Sequence, residues 1–307
     1  MKWRYSGIFA DSMLLLVTLF WGATFVLVQD AIHKVPVFTF LAIRFFMAGL
    51  LLWIIQIAMN RGKPSTFDRK TIGSGIMLGI WLFAGYAFQT FGLLYTTPAK
   101  AGFITGLSVV LVPILSFWIL RQPIHRYMVT GIILATIGLG MLSFHSDFSM
   151  NIGDVLVFFC AIAFAMQITL TGKYAGTGNS MNLAILQILT VAVLSGIAAA
   201  AFEPWRNTLR PTVLFQTEVW VAFVICAVFA TAFAFFAQTY FQQYTTTSHT
   251  ALIFTCEPVF AALTSWIWIH EQFTWKTLSG CLFILFGMFV SEGYTIWLQK
   301  QPADSET

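Results

Sequence analysis

The sequence predicts an all-α polytopic membrane protein of ten transmembrane helices, arranged as two inverted five-helix repeats around a central cavity. Three observations support this prediction. Of the 307 residues, 58% are hydrophobic and 9% are charged, whereas a soluble domain carries roughly 25% charged residues. The apolar residues form long runs, and short connections between these runs hold most of the charge. Part of the first half of the sequence also recurs in the second half.

The apolar runs have the length of membrane-spanning helices. A helix needs about 20 apolar residues to cross the roughly 30 Å of hydrocarbon in a bilayer. Runs of about this length lie at 12–31, 36–59, 72–94, 98–120, 127–143, 153–173, 180–201, 217–241, 246–269 and 276–297. They do not alternate in polarity as the strands of a membrane barrel must. Helices are therefore predicted throughout, with no room for a soluble domain.

An internal repeat relates the two halves. The segment QTFGLLYTT at 89–97 returns as QTYFQQYTT at 238–246, an offset of 149 residues. The same offset superposes Ser116 on Ser265, Gly131 on Gly280 and Gly138 on Gly287, and an offset of 143 superposes Asp11 on Asp154 and Arg44 on Gln187. We therefore expect two homologous domains, 1–145 and 150–300. Because each contains five spans, the second must enter the membrane from the opposite side. Inverted repeats of this kind are common among secondary transporters.

The lysines and arginines of the connections predict the orientation of the chain. With the N-terminus inside, ten lie on the cytoplasmic side: Lys2, Arg4, Arg61, Lys63, Arg69, Lys70, Arg121, Arg126, Lys173 and Lys300. Five lie outside: Lys34, Lys100, Arg206, Arg210 and Lys276. Because cytoplasmic loops carry the excess of positive charge, both termini are predicted to be cytoplasmic.

Glu257 is the acidic side chain that we place at mid-depth in a predicted span. A charge there costs about 2.5–3.5 kcal/mol even on lenient insertion scales, so the residue calls for an explanation. Pro258 follows it and is expected to kink the helix, because proline cannot donate to the helical ladder. Two interpretations stay open for Glu257. It is either a proton-coupling group in a water-lined cavity or a protonated side chain that hydrogen-bonds a neighbouring helix for packing.

Arg44 is the basic counterpart, in the second predicted span. Its long side chain can extend toward an interface or toward a neighbouring helix end. Its repeat counterpart is the neutral Gln187, so the repeat does not require the charge twice. We interpret Arg44 as a structural charge in preference to a substrate contact.

A set of polar and aromatic side chains inside the apolar runs forms the candidate cavity lining. Its members are Trp21, Thr24, Tyr86, Gln89, Thr90, Gln167, Gln238, Thr239 and Tyr240. Polar groups in membrane helices often serve as hydrogen-bonding glue between helices, which is the simpler interpretation of any single one. As a set, aromatic rings with a few amides suit an amphipathic organic solute.

Other function classes lack a sequence signature. The four cysteines all lie in apolar runs without metal-ligand spacing. We find no nucleophile motif, phosphate loop or paired carboxylates, so no catalytic residues, metal or cofactor are predicted. The formal charge of +4 is dispersed, and nucleic-acid binding is not predicted.

Several of these segments resemble the EamA branch of the drug/metabolite transporter superfamily. The resemblance rests on LFWGATF at 19–25, on Arg44-Phe-Phe, on GDVL at 153–156 and on CEPVFAAL at 256–263, and it covers nearly the whole chain. It implies ten helices around a central cavity and the export of small organic metabolites, often amino acids, across the bacterial plasma membrane. The sequence departs from the family at Arg121-Gln122-Pro123, where a Gly-Glu pair is usual.

The function predicted from the sequence is therefore secondary transport of a small-molecule solute, amino acid-like or amphipathic, outward through the lipid bilayer. Protons are the candidate coupling ion, and uncoupled facilitated diffusion stays open. The alternatives outside transport are a membrane-embedded enzyme acting on lipids, which the scattered histidines do not favour, and a lipid-binding scaffold without solute flux. The sequence leaves open the solute and whether the protein is a monomer or a homodimer.

Overall fold

A computed structural model describes residues 7–60, 67–96, 98–143, 151–204, 216–268 and 274–300. These residues are helical apart from short connections, and no strand occurs among them. The first half contains α1 (Gly7–Ile32), α2 (Val37–Met59), α3 (Arg69–Gly92), α4 (Pro98–Gly106), α5 (Ser108–Leu120) and α6 (Arg126–Ser143). The second half contains α7 (Ile152–Tyr174), α8 (Ser180–Phe202), α9 (Thr217–Ala227), a π-helical segment (Val228–Phe233), α10 (Ala234–Phe241), a 3-10 turn (Gln242–Tyr244), α11 (Thr247–Phe254), α12 (Glu257–Trp268) and α13 (Trp275–Lys300).

Seven helices of the described residues are long and apolar enough to cross a membrane: Gly7–Ile32, Val37–Met59, Arg69–Gly92, Ala101–Leu120, Ile152–Tyr174, Ser180–Phe202 and Thr217–Tyr244. The apolar stretches found in α6 and α13, Arg126–Met141 and Trp275–Val290, are shorter. The all-helical, multi-pass character predicted from the composition agrees with this architecture.

Two of the predicted spans, which are continuous apolar runs in the sequence, are each divided into two helices in the structure. The span at 98–120 is divided at Leu107, directly after Gly106, a poor helix former. The span at 246–269 is divided at Thr255 and Cys256. The first helix of this span ends at Phe254, four residues before Pro258. In an uninterrupted helix the ring of Pro258 would clash with the carbonyl group of Phe254.

The helices pack across the two halves of the chain. Helix α2 packs against α8, and α3 packs against α7 and α8. Helix α1 contacts α9, α10, α11 and α12, while α7 contacts α4 and α5. Helix α6 packs against α13. The two halves therefore form one bundle with a shared interior.

Small residues let α6 and α13 approach closely. A Cβ atom added to Gly138 would lie 2.6 Å from the carbonyl oxygen of Gly280, and one added to Gly287 would lie 2.6 Å from that of Gly131. A later residue of α6 thus meets an earlier residue of α13, so the two helices run antiparallel. Glycines at such positions permit close helix packing in membranes.

Large apolar side chains cover the outside of the bundle. Trp118, Phe202, Trp275 and Ile267 are each more than 60% exposed. Contiguous apolar surface of this kind would be unfavourable in water and matches the hydrocarbon of a bilayer. A carboxylate of the second half caps the start of α2. The Glu203 carboxylate accepts hydrogen bonds of 2.7 and 2.8 Å from the backbone N–H groups of Phe38 and Thr39 at the start of α2.

Candidate functional site

A cavity lies inside the bundle, lined by residues of α1, α2, α3, α4, α5, α7, α10, α11 and α12. Its lining extends from Glu257, at the interruption between α11 and α12, toward Val28 and Leu93 near the ends of α1 and α3. The space open to the centres of water-sized molecules is about 70 Å³. One water needs roughly 10–15 Å³ of such space. The cavity therefore has room for a small water cluster or a small organic solute.

Both helix interruptions open onto this cavity. Ser108 begins α5, Glu257 begins α12, and both line the cavity. The 149-residue offset superposes Ser108 on Glu257 and Leu107 on Cys256, so the interruptions occupy equivalent places in the two halves. Breaks in membrane helices are tolerated where they line a water-filled cavity.

Glu257 is partly buried and reaches the cavity beside α1. Helix α1 passes close to it, because a Cβ atom added to Gly22 would lie 2.5 Å from the Glu257 carbonyl oxygen. A larger residue at position 22 would push α1 away from the site. Among the described residues, no side chain forms a hydrogen bond or ion pair with the Glu257 carboxyl group.

Arg44 is 3% exposed and lines the same cavity from α2. Its Nε–H donates to the hydroxyl oxygen of Thr231 at 2.8 Å, and Nη2 lies 3.4 Å from the carbonyl oxygen of Ala230. The Arg44 guanidinium carbon is 5.1 Å from the centre of the Tyr86 ring, a cation–π distance. Arg44 therefore ties α2 to the π-helical segment while its charge remains at the cavity wall.

One carbonyl group of the π-helical segment contacts two side chains. The Ala230 carbonyl oxygen accepts a 2.9 Å hydrogen bond from Trp21 Nε1 in addition to its contact with Arg44. The Thr231 hydroxyl donates to the Cys226 carbonyl oxygen five residues earlier, at 2.8 Å. Single π-helical turns interrupt the regular ladder and occur often at functional sites.

Six of the nine residues proposed to line the cavity do line it in the structure: Trp21, Thr24, Tyr86, Gln89, Thr90 and Gln167. Gln89 donates to the Thr105 hydroxyl oxygen at 3.3 Å, which connects α3 to α4. The Tyr86 ring makes edge contacts with Phe45 and Phe164 at centroid distances of 5.0 and 5.4 Å. Pro258 and Arg44 are also part of the lining.

Gln238 and Thr239 lie outside the lining, in a buried hydrogen-bond network beside it. Gln238 donates to Gln167 at 3.1 Å, Gln167 donates to Gln187 at 3.2 Å, and Gln187 donates to Thr239 at 2.9 Å. Gln187, Gln238 and Thr239 are fully buried. Tyr240 also lies outside the lining, stacked on Phe236 at 5.9 Å. The network fastens α7, α8 and α10 together on one side of the cavity.

The sequence analysis missed several cavity residues. Thr105 and Ser108 line the cavity at the first interruption, and the repeat could have identified them as the counterparts of Phe254 and Glu257. Phe164 and Phe235 also line it, but they lie among 32 phenylalanines and carry no distinguishing pattern. The sequence likewise gave no sign that Thr231 holds Arg44.

Comparison with known proteins assigns this helical bundle to a family. The model of the EamA-like transporter family matches the chain twice, over residues 8–144 and 151–292. The chain belongs to the EamA-like transporter family. An uncharacterized transporter of Archaeoglobus fulgidus is 36% identical over 283 residues, which are 92% of this chain and 85% of that protein.

More distant relatives align over a similar extent. The uncharacterized transporter YetK of Bacillus subtilis is 26% identical over 295 residues, covering 92% of this chain and 84% of YetK. A solved crystal structure superposes with a TM-score of 0.78 at 20% identity, covering 96% of this chain and all of that one. At that identity the likeness shows the fold alone. Membership of this family and the apolar helices make the chain a membrane transporter.

Proposed function

We propose that this EamA-like protein is a secondary transporter that moves small organic, amphipathic metabolites outward across the bacterial plasma membrane. The observation that carries the proposal is the cavity, which brings Glu257 and Arg44 together with aromatic rings inside an apolar bundle. Ionisable side chains within membrane helices usually mark the pathway of a substrate or an ion. Aromatic walls with a few polar groups suit amphipathic organic solutes.

Ten transmembrane helices in two inverted repeats, 1–145 and 150–300, are the architecture that we propose for this function. The helix pairs support it. Helix α1 packs on α11 and α12. In the repeat these helices correspond to α7, α4 and α5, and α7 packs on α4 and α5 in the same way. The reciprocal, antiparallel approach of Gly138 to Gly280 and of Gly287 to Gly131 is expected of inverted copies. The two separate matches to one family model also agree with it.

The proposed orientation places both termini in the cytoplasm, on the basis of the ten-to-five distribution of lysine and arginine. In this orientation Val28 and Leu93 approach the outer ends of α1 and α3, so the cavity lies toward the outside. The network of Gln167, Gln187, Gln238 and Thr239 then lies on its cytoplasmic side. The structure corresponds in this assignment to a state closed toward the cytoplasm.

Protons are the proposed coupling ion, and Glu257 is the proposed proton carrier. Its carboxyl group faces the cavity and forms no hydrogen bond with a described side chain. A side chain retained for packing would be expected to have a hydrogen-bonding partner on a neighbouring helix. A carboxyl group without one is available to exchange a proton with the cavity.

Solute flux in vesicles tests the proposal. The purified protein, reconstituted in proteoliposomes, is screened for uptake of labelled amphipathic metabolites with and without a pH gradient. We expect saturable flux of at least one solute, accelerated by the gradient. Flux that ignores the gradient would indicate facilitated diffusion. The absence of flux for every solute, in folded protein, would contradict transport and favour a lipid-acting or scaffolding role.

A further inference from the structure

We propose that Arg44 is the anion-binding residue of the cavity and that the transported solutes are small organic monocarboxylates with an aromatic body. This inference rests on the proposed transport function and deepens it by naming the chemical class of the solute. It assigns Arg44 a role in addition to the structural one predicted from the sequence.

The hydrogen bonds of Arg44 leave part of its guanidinium group available. A guanidinium has five N–H donors in a planar fork. Thr231 accepts from Nε, and Ala230 lies beside Nη2, so the contacts occupy one edge of the fork. The other edge, formed by Nη1 and the second hydrogen of Nη2, has the geometry that binds a carboxylate through two parallel hydrogen bonds.

The positive charge of Arg44 also lacks a partner within the part of the chain that the structure describes. An ion pair there joins Lys34 to Glu218, and His249 lies 3.3 Å from the Asp11 carboxylate, but neither contact involves Arg44. The side chain is nevertheless 3% exposed. A buried, uncompensated charge is costly, and an opposite charge that comes within hydrogen-bonding distance recovers part of that cost. The carboxylate of a solute in the cavity supplies this opposite charge.

The remainder of the cavity selects the body of the solute. Aromatic side chains line it from several helices: Trp21, Phe25, Tyr86, Phe164, Phe235 and Phe254. Aromatic pairs prefer offset or edge-on contact and add to the energy of apolar burial. The small space, about 70 Å³, favours solutes of low molecular mass.

A single cation restricts the number of negative charges on the solute. Arg44 is the cation among the described residues that line the cavity. A second carboxylate on the solute would have no cation to bind there, and an unpaired charge in an apolar interior is costly. One carboxylate per solute is therefore favoured.

The test compares two ligands that differ in charge and are otherwise nearly identical. Phenylacetate and its neutral isostere phenylacetamide are titrated into the full-length chain in lipid nanodiscs, with affinity measured by calorimetry. We expect phenylacetate to bind at least about tenfold more tightly than phenylacetamide, because hydrogen bonds between charged groups are the stronger ones. Arg44→Gln should weaken phenylacetate binding by about 10- to 100-fold and weaken phenylacetamide binding much less, so that the preference for the charged ligand is lost.

Lys34→Gln is the matched control, since it removes one positive charge from an exposed connection outside the cavity. It should leave both affinities unchanged. Equal affinities of the wild-type chain for the two ligands would overturn the inference, and so would the absence of phenylacetate binding at millimolar concentration. This comparison needs no variant, so it holds even if Arg44→Gln fails to fold.

The result of this binding test can be distinguished from the result of the vesicle flux test. If the vesicle screen shows flux of other solutes while phenylacetate and phenylacetamide bind equally, the inference fails and transport stands. If no solute is transported, the proposed function fails whatever the binding result.

Discussion

Gln238 donates a 3.1 Å hydrogen bond to the side-chain oxygen of Gln167, and this bond fastens α10 to α7 beside the cavity. Under the repeat, Gln238 corresponds to Gln89, which lines the cavity, whereas Gln238 is buried outside the lining. Equivalent positions of the two halves thus differ in their surroundings. If two inverted repeats exchanged conformations, Gln89 would become buried and Gln238 would become accessible from the cavity.

This asymmetry predicts a difference in cysteine reactivity, measured in a variant without the four native cysteines. Gln89→Cys should react with a water-soluble thiol reagent added outside, because position 89 lines the cavity. Gln238→Cys should be protected in the unloaded protein, because position 238 is fully buried. Equal labelling rates for both variants in the unloaded protein would contradict the assignment of the glutamine network as the closed side.

The proposed inverted arrangement makes a second prediction, about sidedness. The 143-residue offset superposes Lys34, between α1 and α2, on Thr177, between α7 and α8, and both positions are exposed. In inverted repeats these counterparts lie on opposite sides of the membrane. Lys34→Cys should therefore react only from outside and Thr177→Cys only from inside, as measured with an impermeant reagent on oriented vesicles. Labelling of both from one side would disprove the inversion.

The sequence was sufficient to predict much of the fold because membrane helices follow simple rules. Length and hydropathy located the helices, and the polar identities between 89–97 and 238–246 related the two halves. The helix interruption at Leu107 was not predicted, since Gly106 only weakens a helix. It could have been inferred from the repeat, because Leu107 corresponds to Cys256, two residues before Pro258.

The site was harder to predict than the fold. Gln89 and Gln238 are identical in type and equivalent in the repeat, yet one lines the cavity and the other is buried in a network. Under the proposed exchange of conformations, that difference belongs to the state that the structure represents, which the sequence does not specify. The π-helical turn that presents Ala230 and Thr231 to Arg44 depends on tertiary contacts and has no sequence signature.

Close glycine packing predicts a third result, for stability. Gly138→Ala should lower the free energy of unfolding by about 1–3 kcal/mol, a typical cost of overpacking, because its Cβ would meet the backbone of α13 at Gly280 and Ile284. Gly196→Ala is the matched control, since a Cβ there has no neighbour within 4 Å. It should be neutral or stabilising by up to about 1 kcal/mol. Both are measured by unfolding in mixed micelles, and an equal effect of the two substitutions would disprove the close α6–α13 contact.

Arg121 predicts a stabilising substitution. It ends α5 with a φ of 55°, the left-handed conformation that favours glycine. Arg121→Gly should be more stable than Arg121→Ala by about 1 kcal/mol, since both remove the charge and only glycine avoids the Cβ strain. Equal melting temperatures for the two variants would show that this conformation is not maintained in the membrane.

Glu257 gives the last prediction, which separates a proton carrier from a packing residue. Glu257→Gln keeps the size and hydrogen-bonding capacity of the side chain but cannot release a proton. If Glu257 carries the coupling proton, this variant should lose accumulation driven by a pH gradient and keep downhill exchange of solute. Glu257→Asp, which retains a titratable group, should keep part of the coupling. Both are measured in proteoliposomes against the wild-type protein.

The packing alternative predicts the opposite pattern. Glu257→Gln would then accumulate solute as the wild type does, and Glu257→Leu would lose stability because a hydrogen-bonding partner is left unsatisfied, a cost of about 1–3 kcal/mol. In the structure the carboxyl group faces the cavity, and no described side chain bonds to it. Glu257→Leu should therefore fold with nearly wild-type stability while coupling is lost. Wild-type accumulation by Glu257→Gln would assign the coupling proton to another group.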